Sequence, residues 1–166
     1  MIIFGIDPGI ANTGYGVIRK DASKLTMLDY GAIRTKSSQK RSLRLKKIYD
    51  ELLSLMKKYN PDYVSVEELF FAPNLTSAIS VGEAKGVATL AAVEANAEVY
   101  TYKPAEIKQA VVGYGNATKK QIQQMVKVLL SLGKIPKPNH AADALAMAIC
   151  HAHSLKITKI RESATN

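Results

Sequence analysis

An α/β domain, a five-stranded mixed sheet with helices on its faces, is the architecture this chain predicts. Three observations carry that reading. The chain opens with three short strand-like runs separated by turn signals. After residue 40, helical patterns alternate with two further short apolar runs. No repeat, low-complexity tract or domain boundary interrupts the 166 residues, a length that suits one domain.

The elements follow in order. Met1 to Asp7 (MIIFGID) is a continuous apolar run that ends at Asp-Pro-Gly, a turn signal. Residues 14–19 (GYGVIR) and 25–35 (KLTMLDYGAIR) read as two more strands, making an antiparallel meander with the first. Gly14 and Gly16 lack the third glycine of a dinucleotide fingerprint and read as hairpin geometry. From Arg41 to Tyr59, Leu45, Ile48, Leu52, Leu55 and Tyr59 recur at helical spacing with cations opposite, and Asn60-Pro61 stops the helix. Asp62 to Glu67 is a fourth strand. A long Ala- and Gly-rich helix, about Leu75 to Asn96, follows Pro73-Asn74. Glu98 to Tyr102 is the fifth strand. Pro104 suits the first turn of a short helix, and residues 112–116 (VGYGN) form a loop. Thr118 with Gln121 has the spacing of a capping box at the head of a helix running to Leu132. Asn139 can cap a last helix reaching about His153. Residues 1–154 then form the domain, and 155–166 a basic, flexible tail.

Charge points toward polyanions. The net charge is +9, and from Val99 to Asn166 ten Lys/Arg stand against three Asp/Glu. Such a field attracts phosphate backbones, although solvated surface lysine gives the same count. No run of about 18 apolar residues is present, so no membrane span is expected. No signal-peptide pattern opens the chain. The single cysteine, Cys150, fits a reducing cytoplasm and a packing role in a buried helix.

Four polar residues sit where elements end or begin. Asp7 ends the first strand and Glu67 the fourth. If those strands are parallel neighbours, their carboxylates meet at one sheet edge, where open α/β sheets place their sites. Strand alternation puts Glu67 and Glu68 on opposite faces, and the pattern alone does not choose between them. His140 and Asp143 share one face at the start of a helix that is otherwise apolar nearly all round. A buried Asp in such a helix is costly unless paired or metal-bound. His151 lies on that face about 16 Å further along the axis, out of reach of the same ion. Clustered carboxylates repel one another unless cations neutralise them, and hard oxygen ligands suit Mg²⁺ or Mn²⁺. Two such ions suit phosphodiester cleavage. Each residue also has a plainer role: Asp7 as a turn former, Asp143 on the helix dipole, His140 as an ordinary first-turn residue. No phosphate loop, Cys/His zinc set or G-x-S-x-G elbow offers a rival chemistry.

Five ordered strings are more specific than these patterns: GIDPG at 5–9, VSVEELFFAPN at 64–74, GEAKGV at 82–87, KQAVVGYGNATKKQIQQMV at 108–126 and NHAADALAMAICH at 139–151. In them the chain closely resembles the RuvC family of Holliday junction resolvases, over residues 1 to about 154. The resemblance implies a ribonuclease H-like fold. It implies a homodimer on four-way junction DNA that nicks two strands symmetrically with Mg²⁺ or Mn²⁺, two ions per site, in DNA recombination and repair. It implies a neighbour, the RuvA–RuvB branch-migration complex, and a cytoplasmic location. It selects Glu67 over Glu68 and carries Asp7, Glu67 and Asp143 over as catalytic metal ligands. His140 stands where many members have a fourth Asp and others a His. Its softer nitrogen is expected to shift relative preference toward Mn²⁺, measurable against His140→Asp. Lys108 and Lys119 match lysines near the scissile phosphate, Phe70 an aromatic that meets junction bases, and Asn74 a phosphate contact. Without the resemblance the lysines read as surface charge and Phe70 as core. Ala78, Gly82 and Gly86 form a small-residue stripe that the resemblance assigns to the dimer interface. Two alternatives stay open: a ribonuclease H-like nuclease without junction selectivity, and a junction-binding protein without activity.

Overall fold

The structure, a computed structural model, describes the backbone of residues 1–68 and 75–164 and the side chains of residues 1–68 and 78–155. Three antiparallel strands come first: β1 (Ile2–Asp7), β2 (Asn12–Asp21) and β3 (Lys24–Arg34). Then follow α1 (Arg41–Tyr59), β4 (Tyr63–Glu67), α2 (Leu75–Glu94), β5 (Glu98–Tyr102), α3 (Pro104–Val112), α4 (Lys119–Leu129) and α5 (Asn139–Ala164). The sheet order is β3-β2-β1-β4-β5, with β4 parallel to both β1 and β5. The expected mixed sheet is therefore present.

Local signals explain most boundaries. α1 stops at Asn60, whose left-handed backbone (φ 45°) lets its N–H reach the Met56 carbonyl. The Thr118–Gln121 capping box is formed in both directions and starts α4. Asn139 is the first residue of α5, and its side-chain oxygen accepts from Gln123 Nε2 at 3.4 Å. α5 runs to Ala164, past the expected end near His153. The segment after His153 contains neither Gly nor Pro, so nothing in its chemistry stops a helix.

Strand alternation divides the sheet into two unlike faces. Phe4, Ile6, Val17, Ile33, Val64 and Val66 point to one side. There they meet Ile48, Leu52 and Met56 of α1 and Ala88, Ala91 and Ala92 of α2 in an apolar core. The opposite face carries Ile3, Gly5 and Asp7 of β1, Gly14, Gly16 and Ile18 of β2, and Tyr63, Ser65 and Glu67 of β4. It is covered by α5, with α3 and α4 outside it.

The glycines of β1 and β2 set how closely α5 lies on that face. A Cβ on Gly5 would overlap the Ala144 carbonyl oxygen, and one on Gly14 would overlap the His140 carbonyl. Gly14 and Gly16 therefore serve mid-strand clearance for a helix far away in sequence, where hairpin geometry had been expected. α5 is a buried element for the reason its composition implies: Ala141, Ala142, Ala144, Leu145, Ala148 and Ile149 are all inaccessible.

Candidate active site

The cleft is assembled where β1 and β4 end. These strands pair in register from Ile3 with Tyr63 to Ile6 with Val66, so Asp7 and Glu67 emerge together on the α5 face. Glu68 is one step on, past the strand. Its N–H donates to the Tyr102 carbonyl, and strand alternation turns its side chain from the pair. Register thus sets Glu67 rather than Glu68 beside Asp7 in the cleft, a choice that sequence period alone left open.

The first turn of α5 brings the remaining groups. His140 Nδ1 lies 2.7 Å from Asp7 Oδ2, the Asp7 side chain being only 18% exposed. Donor atoms of Asp7, His140 and Asp143 lie within 4.8 Å of one another. Opposite ligands about 2.1 Å from an Mg²⁺-sized ion stand about 4.2 Å apart, so this set fits an octahedral divalent ion after small side-chain shifts. Its hard oxygens and one imidazole also suit Mn²⁺. Glu67 is not part of that tight trio. It shares a cleft of about 290 Å³ with Asp7, Asp143, Lys108 and Lys119, walled by Pro104, Ile107, Ile122 and Met147.

Burial and mutual repulsion act on the acids in the same direction. Burial raises the Asp7 pKa above the usual value; the His140 hydrogen bond pulls it back and the Asp143 charge pushes it further up. Burial also raises Glu67, with Asp7 and Asp143 adding to the effect and Lys119 opposing it. Lys119 Nζ sits 2.6 Å from Asp143 Oδ2. The four residues expected at this site, and both lysines, are therefore brought together. Phe70 and Asn74 lie outside the described residues.

Lys85 of α2 was not anticipated. It is half-buried; burial lowers its pKa, while Glu68 and Glu67 pull it up. Its signal was available in the sequence as the lone cation of GEAKGV, on the helix that follows Glu67. His151 behaves as expected of a residue beyond reach of the site. It is buried among Tyr63, Tyr100 and Tyr102, its Nδ1 is 2.6 Å from the Tyr102 hydroxyl, and burial lowers its pKa to about 4. Cys150 is buried, and burial raises its thiol to about 12, in keeping with a packing role.

Comparison with known proteins gives a consistent result. A family model described as "Crossover junction endodeoxyribonuclease RuvC" matches residues 3–151. A protein of that name from Alkaliphilus oremlandii (strain OhILAs) is 54% identical over 160 residues, 96% of this chain and 98% of its own. The solved structure "T. thermophilus RuvC in complex with Holliday junction substrate" is 38% identical with a TM-score of 0.91, over 95% of this chain and 96% of that one. The yeast mitochondrial Holliday junction resolvase Ydc2, 13% identical, shares the fold at a TM-score of 0.61, over 91% of this chain and 78% of that one.

Proposed function

Because the chain belongs to the RuvC family of crossover junction endodeoxyribonucleases, we propose that it cuts junction DNA in the cleft of Asp7, Glu67, His140 and Asp143. The chain is a Holliday-junction-resolving endonuclease with the ribonuclease H-like fold, acting in DNA recombination and repair. The family is metal-dependent, and this chain has a carboxylate–histidine set able to hold a metal. The observation that carries the assignment of the site is the parallel β1–β4 register. It places Asp7 beside Glu67 while α5 delivers Asp143.

Residue roles follow from position. Asp7, His140 and Asp143, whose donor atoms converge, would hold one divalent ion, and Glu67, in the same cleft, would help hold a second. When bound, Mg²⁺ or Mn²⁺ ions supply Lewis-acid activation of water and neutralise charge at the scissile phosphate. Lys108 and Lys119 set ammonium groups in the same cleft, where they can stabilise charge developing on phosphorus. The apolar wall of Pro104, Ile107, Ile122 and Met147 limits water around the acids. Phe70 and Asn74 are assigned to junction DNA from sequence alone.

Symmetric nicking needs two sites, which we assign to a homodimer through α2. Ile79, Gly86, Leu90 and Val93 recur at steps of three, four and seven on that helix. The three side chains are more than half exposed, and a Cβ on Gly86 would meet nothing. This exposed stripe overlaps the expected Ala78–Gly82–Gly86 stripe only at Gly86. A two-fold pair would match a two-fold substrate. RuvA–RuvB is the proposed neighbour and the cytoplasm the proposed location. No helix among the described residues is long and apolar enough to cross a membrane.

The test is metal-dependent cleavage of a synthetic mobile four-way junction, with nicks mapped on all four strands, beside flap, duplex and RNA–DNA hybrid. Paired nicks on strands of like polarity are expected, with loss of at least about a thousandfold in Asp7→Asn and junction binding retained. Equal cleavage of every substrate establishes the unselective nuclease instead. Intact junctions in Mn²⁺ establish the binder.

A further inference from the structure

Lys119 stands in two relations at once. It lines the cleft in which a DNA phosphate is to lie, and its ammonium is already bound to Asp143 at 2.6 Å. Asp143 is also one of the three residues whose donor atoms converge for a cation. An ammonium bound to Asp143 Oδ2 takes up one of its two oxygens and part of its charge, so it competes electrostatically with a divalent ion at the same carboxylate. The two partners differ in freedom: the Lys119 side chain is 56% exposed, whereas Asp143 is 23% exposed and fixed on a buried helix. The lysine is therefore the partner that moves. The capping box at Thr118 and Gln121 holds the backbone at the base of that side chain, so its reach is a matter of rotamers.

We propose that Lys119 is a counterion of Asp143 in the DNA-free protein and couples metal loading to DNA arrival. A phosphate entering the cleft takes the ammonium and leaves the carboxylate free to ligate. Without DNA, the lysine competes with the ion and lowers metal affinity. This holds the nuclease in a weakly loaded state until a substrate is present. The coupling is reciprocal: metal on Asp143 releases Lys119 to phosphate, so metal strengthens junction binding by the same factor through this route. The inference rests on the metal-cleft reading above and adds to it a role that precedes chemistry.

The experiment compares wild type, Lys119→Met and Lys119→Arg, with Asp7→Asn as control. Mn²⁺ binding to the DNA-free proteins is followed by calorimetry and by electron paramagnetic resonance. Junction affinity is measured in Ca²⁺ and in EDTA. Lys119 is largely exposed, so the variants should fold, which circular dichroism checks. Lys119→Met should bind Mn²⁺ about threefold to tenfold more tightly than wild type, the range expected for removing one partly exposed competing cation. Lys119→Arg should stay close to wild type. The ratio of junction affinities in Ca²⁺ and EDTA should shrink in Lys119→Met. Equal or weaker Mn²⁺ binding in Lys119→Met, with Asp7→Asn still weakening it, overturns the Lys119 assignment alone. Mn²⁺ binding that is absent from wild type, or indifferent to Asp7→Asn, overturns this inference and the metal-cleft reading together.

Discussion

The two faces of the sheet use the same alternating strands to opposite ends. Toward α1 and α2 the inward positions are mostly hydrocarbon, with Phe4, Ile6, Val64 and Val66 wholly inaccessible, and Thr13 is the buried polar exception. Toward α5 the same strands supply Ile3 and Ile18 together with glycines, a serine, tyrosines and two acids. Two side-chain atoms buried there, Ser65 Oγ and His151 Nε2, have no hydrogen-bond partner among the described residues. Both faces are held by an apolar core, but only the α5 face also fixes polar groups at one end of the strands. The difference teaches that the chemistry is set by strand parity rather than by region of the chain. Asp7 and Ile6 are neighbours in sequence, yet they serve different faces.

This division can be broken, and the largest effect is expected at Gly5. Gly5→Val places a branched side chain against the Ala144 carbonyl and the Ala148 N–H, so α5 cannot dock. A loss of more than about 3 kcal/mol, or failure to fold, is expected in urea melts. A soluble variant with unchanged melting would show that α5 adapts and that the glycines are incidental.

On the opposite face, Leu52→Ala removes a fully buried side chain from the apolar core. About 2–4 kcal/mol should be lost, while cleavage per folded molecule stays close to wild type. A large drop in specific activity would show that the two faces are mechanically linked through the sheet.

The smallest effect sharpens the cost of the polar face. A carboxyl whose folded-state pKa is raised holds its proton more tightly folded than unfolded, so its ionisation opposes folding. For Glu67 that cost appears as pH rises from the ordinary 4.5 through the raised folded value, and it is complete above that value. Glu67→Gln should therefore melt a few degrees higher than wild type at pH 7 in EDTA. The gap should close as pH falls to about 4. A variant less stable than wild type at pH 7 would mean that Glu67 has favourable partners outweighing its burial.

Local chemistry was legible in the sequence where it is strong. The period of Leu45, Ile48 and Leu52 with Asn60 behind it fixed α1, and Thr118 with Gln121 fixed the start of α4. Asp7, His140 and Asp143 were recognisable because polar groups at the ends of apolar elements need a reason. What stayed hidden is long-range. By strand pattern, Glu67 and Glu68 are equivalent until β4 is placed in register beside β1, and only the family strings had chosen Glu67. Gly14 looks like a turn residue because its partner, the His140 carbonyl, is more than a hundred positions away. The ion pair of Lys119 with Asp143 joins two helices whose relative placement no short window encodes.

The place of α5 in the chain has a consequence for timing. Asp7 and Glu67 are made early, but Asp143 arrives on the final helix, and that helix must settle over Gly5 and Gly14 before the three acids meet. A growing polypeptide thus passes through most of its synthesis with the acidic set incomplete. A product broken off between residues 67 and 139 carries Asp7 and Glu67 but lacks Asp143. For a nuclease of Holliday junctions, assembly order keeps the acids apart until α5 has been made and has docked on the sheet.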